Sequence, residues 1–320
     1  MARLAILKVM RIILALVLCF LANTSGAQNR TVAITFDDLP LAQAGSPANV
    51  TPAERLTETR NVNLAILNGL KKHHAWAIGF VNEKKVTDGG ADQNRAILQQ
   101  WIRFGNDLGN HTFAHLDLSK ISAEEFEREV VDGEASVKIL MAGAGKPVSY
   151  LRFPYNHTGD TAEKHAKVAA FLKKHGYDIA TCTVDNSDWA FARAYRLMLE
   201  RKDEAAAERL RTAYIEYTGR ELEYYSQLHK QIFGHEIPHV MLLHANRLNA
   251  DTIDDVLGVF EKAEYRFVTL RQAQSDPAYK TPAALTSDGP MWGYRWARTL
   301  NIKVDGSREP EVPAWVAEYK

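Results

Sequence analysis

Two adjacent carboxylates, Asp37 and Asp38, close the apolar run of TVAITFDDLP, and two imidazoles, His111 and His115, stand four residues apart further along. Two histidines and one carboxylate form a three-ligand set for a divalent ion with a position left open for water. A second carboxylate beside that set can take a proton from the water. Zinc suits two imidazoles and a carboxylate, and cobalt or nickel also fits. Each pair has a plainer alternative: paired aspartates after a strand are common turn residues, and a lone histidine pair is more often structural. Further polar groups decide for chemistry. Arg152 and Tyr155, Asp185 and Asp188, and His244 each follow another apolar run.

Those runs are the elements that must position the residues. Strand-length apolar stretches fall at 31–36, 75–81, 149–153, 177–184, 240–245 and 265–270, with a weak strand at 107–111. Helical patterns lie between them at 52–73, 91–104, 161–175 and 251–263, with a capping box at Ser122–Glu125 opening one more. Such alternation predicts a parallel α/β barrel or a doubly wound sheet, whose strands deliver functional groups at their C-terminal ends. Side chains alternate along a strand, so Asp37 and Asp38 share a site only if the strand breaks, and Leu39-Pro40 is the expected break. The histidines are expected on one side of a helical turn. Two stretches fall outside the repeat. Residues 190–238 read as two helices broken near Thr218-Gly219, a solvated hairpin inserted between the fifth and sixth strands, with a lid or substrate wall as the alternative. The tail 277–320 carries Trp292, Tyr294, Trp296 and Trp315, expected to anchor it by packing.

The chain has 320 residues, 46% apolar and 24% charged, with a formal net charge of zero. That composition is globular, and no basic excess points to nucleic acid. Residues 1–27 place Arg3, Lys8 and Arg11 before an apolar run and end in small residues, the pattern of a cleaved secretory signal peptide. The apolar run is short for a membrane span, so no stable membrane anchor is expected after cleavage, and the destination is secreted or periplasmic. The mature chain would keep one cysteine, Cys182, within YDIATCTV, read as a buried inert thiol.

Five ordered motifs, TFDD (35–38), HTFAH (111–115), RFPY (152–155), DNSDW (185–189) and LLH (242–244), resemble those of the polysaccharide deacetylase family, carbohydrate esterase family 4, which shares the NodB homology domain. The resemblance implies a distorted (β/α)7 or (β/α)8 barrel over 28–276, including the helical insertion, with 277–320 as a C-terminal extension. It also implies roles. Asp37 is the general base; Asp38, His111 and His115 hold the metal; Arg152 pairs with Asp37 and keeps it ionised. The Tyr155 backbone N–H helps form the oxyanion hole, and His244 is the general acid, oriented by Asp188. The implied reaction removes acetyl groups from N-acetylated oligo- or polysaccharide. An O-acetyl carbohydrate esterase and an inactive carbohydrate-binding relative are the alternatives. Trp189 is expected as a pocket wall or core residue, and Asp185 as a brace for its loop. Three departures, Leu39 where the family usually has glycine, Ala245-Asn246 after the fifth motif and the long helical insertion before that motif, are expected near the groove where substrate is chosen.

Overall fold

The computed structural model describes residues 30–42, 50–88, 90–286 and 289–319. The expected signal peptide lies outside the described residues, and no described helix is long and apolar enough to cross a membrane. The chain runs β1 (Thr31–Leu39), α1 (Pro52–Lys72), β2 (Ala77–Val81), α2 (Glu83–Asp88), α3 (Ala91–Arg103), β3 (Asp107–Asn110), α4 (Ala123–Asp132), α5 (Ala135–Gly143), β4 (Tyr150–Leu151), α6 (Ala162–Lys174), β5 (Asp178–Ile179) and β6 (Val184–Asp185). It continues through α7 (Asp188–Glu200), α8 (Glu204–Phe233), β7 (His239–His244), α9 (Arg247–Lys262), β8 (Arg266–Phe267), α10 (Leu270–Ala273), α11 (Trp292–Thr299) and α12 (Ala314–Ala317). The local signals act as expected at several ends. Ser122 and Glu125 form the reciprocal capping box of α4, and Thr51 with Glu54 forms another at α1.

All strand pairings are parallel, in the order β5-β4-β3-β2-β1-β7-β6. β1 is the central strand and is almost wholly buried, so it reads as a continuous apolar run. The anticipated fifth strand is split. Its first half bonds to β4 through Asp178 N–H to Ser149 O and Ala180 N–H to Leu151 O. Its second half bonds to β7 through Thr183 N–H to Val240 O. One stretch of chain therefore bridges both sheet edges and closes a distorted barrel. Gln274, just past α10, supports the crossover by accepting from Thr181 N–H and donating to Ile179 O. β8 pairs with the start of β1, on the edge that β2 occupies further along.

The insertion departs from expectation. α7 and α8 are separated at 201–203, where Lys202 takes a left-handed φ and Asp203 caps α8, whereas Gly219 lies inside an unbroken helix of 30 residues. The apolar face of Leu210, Tyr214, Tyr217, Leu222 and Tyr225 runs straight through it and belongs to the main core. That burial outweighs the roughly 1 kcal/mol helix cost of one glycine. The hairpin is thus part of the barrel wall. The tail is anchored as expected: Trp292 and Trp296 are buried, and Arg209 stacks over Trp315.

Leu39 also departs from expectation. It is fully buried and faces β2, where a methyl added to Gly79 would come within 2.5 Å of Leu39 Cδ2. The extra bulk of leucine is accommodated by a glycine across the sheet, away from any groove. Gly79→Ala is expected to destabilise the protein by about 1–3 kcal/mol through overpacking. Adding Leu39→Ala should recover part of that loss, so a double-mutant cycle of denaturant midpoints will show coupling between the two positions.

Candidate active site

Because every strand is parallel, Asp37 and Asp38, His111, Arg152, Asp185 and His244 all emerge at one mouth of the barrel. Backbone strain gathers there too. Six of the ten described non-glycine residues with positive φ lie there, Asp38 near the end of β1 and Thr112, His115, Tyr155, Asn156 and Ser187 in the segments that follow the other strands.

The two aspartates share the site for a reason other than the expected one. β1 continues to Leu39, but its register against β2 shifts between Phe36 and Leu39, and Asp38 takes φ 68°. This bulge, not a break at Pro40, turns both carboxylates to the mouth. The histidines likewise do not ride a helical turn. Residues 111–115 form a loop in which Thr112 and His115 have φ 66° and 60°. Asn110 Oδ1 accepts from Thr112 N–H, Thr112 Oγ1 accepts from His115 N–H, and Glu129 accepts from Ala114 N–H. These bonds bring the two rings to a centroid separation of 4.8 Å.

Ligand atoms of Asp38, His111 and His115 all lie within 4.8 Å of one another. His111 Nδ1 donates to the Arg152 carbonyl at 2.8 Å, which leaves the Nε2 lone pair facing Asp38. Burial lowers both imidazoles to about 4, so they are neutral and able to act as ligands. Asp38 Oδ1 is buried and accepts no hydrogen bond, although Lys85 Nζ lies 2.9 Å away as an ion-pair partner. Burial opposes its ionisation, but Lys85 and the two histidines outweigh burial and hold the carboxyl below the usual range. A buried carboxylate oxygen without a hydrogen bond, facing two neutral imidazoles, fits a divalent cation.

Asp37 sits beside this set. Its carboxylate is 3.7 Å from His111 Nε2 and 3.3 Å from the fully buried guanidinium of Arg152. Arg152 also donates to Thr35 Oγ1, which in turn donates to the Met241 carbonyl, so the guanidinium is tied to β7 as well. Burial raises the Asp37 carboxyl above its ordinary range, and Arg152 counteracts it only in part. Arg152 does pair with Asp37, and its charge favours the ionised carboxylate against that burial. Burial thus makes Asp37 a stronger base than a solvated aspartate, while Arg152 limits the effect.

On the opposite side, His244 Nδ1 donates to Asp188 Oδ1 at 2.6 Å. Asp188 begins α7 and is fully buried, and its other oxygen accepts from His244 N–H, Asn246 Nδ2 and Asn249 Nδ2. Burial alone would lower His244, but the charge and hydrogen bond of Asp188 prevail and raise it to about 10. His244 is accordingly an imidazolium at neutral pH. Asp185 accepts from Ser187 N–H and braces the turn into α7, as expected. Trp189 is not a core residue: it is 61% exposed at the start of α7. Cys182 is buried and its thiol is pushed up to about 12, in agreement with an inert role.

Tyr155 follows Pro154 with φ 57°, and its N–H makes no hydrogen bond among the described residues. Its ring packs edge-on against His115 at 4.6 Å. The loop is held from an unexpected quarter. Buried Arg295, on α11 of the tail, donates to the Asn156 carbonyl, Thr158 Oγ1 and the Pro290 carbonyl. Gly289 passes so close to the Tyr155 carbonyl that a side chain there would collide with it. Nothing in the sequence around Arg295 signals this contact. Asn246 and Asn249 were more legible: an asparagine before an amphipathic run is a helix cap, and Asn246 caps α9. Both Ala245 and Asn246 are buried, so this departure from the family pattern serves Asp188, not the groove.

Fold and mouth together define a parallel α/β barrel that carries a histidine–histidine–aspartate set flanked by a carboxylate and an imidazolium. The sequence profile described as polysaccharide deacetylase matches residues 24–180, and the chain belongs to that family. It is 28% identical over 166 residues to a peptidoglycan-N-acetylglucosamine deacetylase of Bacillus cereus, which covers 52% of this chain and 49% of that one. It is 27% identical over 164 residues to a chitin deacetylase of Arthroderma benhamiae, covering 51% of this chain and 36% of that one. The chain thus spans about half or less of the length of these curated relatives. Among solved structures, a carbohydrate esterase family 4 pseudoenzyme from Bacillus anthracis superposes with a TM-score of 0.51 at 14% identity, over 77% of this chain and 66% of that one. A pseudoenzyme mutant with restored activity gives 0.51 at 16% identity, over 77% and 68%. These likenesses establish the fold. The matched profile ends before Asp188 and His244, so the acid side of the mouth rests on the geometry above.

Proposed function

We propose that the protein is a secreted, metal-dependent hydrolase that removes acetyl groups from N-acetylated sugars, releasing acetate and a free amine. The observation that carries this reading is the placement of Asp37 beside the Asp38–His111–His115 set, with the charged His244 at the same mouth. A divalent ion held by those three residues, zinc by preference, would supply Lewis acidity toward the acyl oxygen and acidify water. Asp37 accepts the proton of the attacking water. The Tyr155 N–H donates to the developing oxyanion, an interaction worth about 3–4 kcal/mol where such donors have been removed in other hydrolases. His244 then donates its proton to the departing nitrogen as the carbon–nitrogen bond breaks, and Asp188 keeps that proton available. Deacetylase relatives that act on peptidoglycan and chitin support the substrate class.

The test is acetate release from N-acetylglucosamine oligomers, peptidoglycan and acetylated xylan by purified protein of measured metal content, before and after chelation. Release from the N-acetylated substrates should fall to background with chelator and return with added zinc. His111→Ala should lose both metal and turnover. Release that survives complete metal removal would refute the metal assignment, and preference for acetylated xylan would favour ester hydrolysis.

A further inference from the structure

A cavity of about 500 Å³ opens beside the metal-binding set and shares His115 as part of its wall. It lies on the β1–β3 side of the mouth, opposite His244, between the start of α1, α2 and the 111–115 loop. Leu56 and Phe113 contribute apolar walls, and its charged lining is predominantly cationic: Arg55, Lys84 and Lys85 against the single acid Asp88. Lys84 and Asp88 neutralise each other in an i,i+4 ion pair at 2.7 Å. Among the described residues the Lys85 ammonium is engaged with Asp38 alone, a carboxylate that a bound cation would claim. The Arg55 guanidinium has no hydrogen-bond or ion-pair partner among the described residues, yet it is only partly exposed on the cavity wall. A solvated surface arginine needs no explanation. An unpaired one lining a concave site next to the reacting groups is poised for a planar anion.

We propose that this cavity is a subsite for a carboxylate carried by the substrate on the acetylated sugar or its neighbour, with Arg55 as the fork that receives it and Lys85 as the second charge. The inference rests on the deacetylase reading and narrows its substrate class to acidic N-acetylated glycans. Two chemistries supply such a group: a uronate on the adjacent ring, or a carboxylate ether-linked to the acetylated ring itself. An uncharged oligomer of N-acetylglucosamine would leave the Arg55 guanidinium without its partner. Selectivity of this kind is electrostatic, so it must weaken as salt screens the cavity.

Calorimetric titration of the metal-loaded full chain discriminates these outcomes. The probes are chitotetraose, a hyaluronan tetrasaccharide carrying uronates, and the N-acetylglucosamine–N-acetylmuramic acid disaccharide carrying the ether-linked carboxylate. At low ionic strength at least one acidic probe should bind about five- to tenfold more tightly than chitotetraose, as charge-assisted arginine–carboxylate pairs do. Which acidic probe gains identifies the source of the carboxylate. Arg55→Gln should reduce the advantage to less than about twofold, while Arg55→Lys keeps part of it, because lysine supplies charge without the fork. Melting temperatures of both variants verify that they fold. Equal affinity for acidic and neutral probes, or an advantage that survives Arg55→Gln, would overturn the proposal. Acetate release from chitotetraose is measured separately, so failure of the deacetylase reading is distinguishable from failure of the subsite.

Discussion

Asp37→Asn is expected to retain bound metal and to lower kcat by about a thousandfold, within the range general-base catalysis contributes. Asparagine preserves the shape of the side chain but offers no basic oxygen. The three proposed ligands are untouched, so metal content measured by atomic absorption should stay near that of the parent. A second effect accompanies the first. Arg152 is fully buried, its Nε makes no hydrogen bond, and Asp37 is the carboxylate paired with it. Removing that charge leaves an uncompensated buried guanidinium, a loss of about 3–5 kcal/mol in comparable cases. Thermal melting should therefore show a destabilised but folded variant. A variant that keeps more than a tenth of parental turnover would show that the base is elsewhere.

Replacing Asp188 with asparagine should be nearly as damaging, and its signature is in the pH profile. In the parent, His244 is raised to about 10, so it stays protonated through neutral pH and the alkaline limb of kcat/KM should lie well above the ordinary histidine value of 6.5. Without the Asp188 charge, burial dominates and the imidazole loses its proton before neutral pH. The alkaline limb should move down by several pH units, and turnover at pH 7.5 should fall about a hundredfold or more. Stability carries the same sign. A group whose pKa is higher folded than unfolded stabilises the fold fully below the unfolded value and loses that contribution as pH rises through the folded value. The parent should therefore lose melting temperature between pH 6.5 and about 10, and Asp188→Asn should lack that component. An unmoved alkaline limb would assign the acid to another group.

Both predictions depend on elements that the sequence placed well. The alternating apolar runs located the strands and most helices, because hydrophobic periodicity reports the burial that a parallel barrel demands. The Ser122–Glu125 box and the proline at the start of α1 mark helix ends whose capping is local chemistry, legible within four residues. Where a property depends on two distant segments, local reading erred. The helix through Gly219 persists because the faces on either side of the glycine are buried against the same core. Leu39 is harmless because Gly79 makes room for it across the sheet. A single strand spanning 177–184 was expected, yet its two halves serve different neighbours, a choice made by β4 and β7.

The sequence by itself determined the inventory of the mouth: which carboxylates, imidazoles and guanidinium would meet, and that parallel strands would carry them to one end. Residue type and strand order suffice for that, since a strand's C-terminal end is defined by the chain's own direction. Tertiary structure alone decided how each group was tuned. The bulge at Asp38 and the left-handed loop at His115 aim the ligands, a buried asparagine pair holds Asp188, and Arg295 reaches from the tail to the Tyr155 loop. Protonation state and orientation arise from desolvation and from partners remote in sequence, whose energies exist only once the barrel has closed.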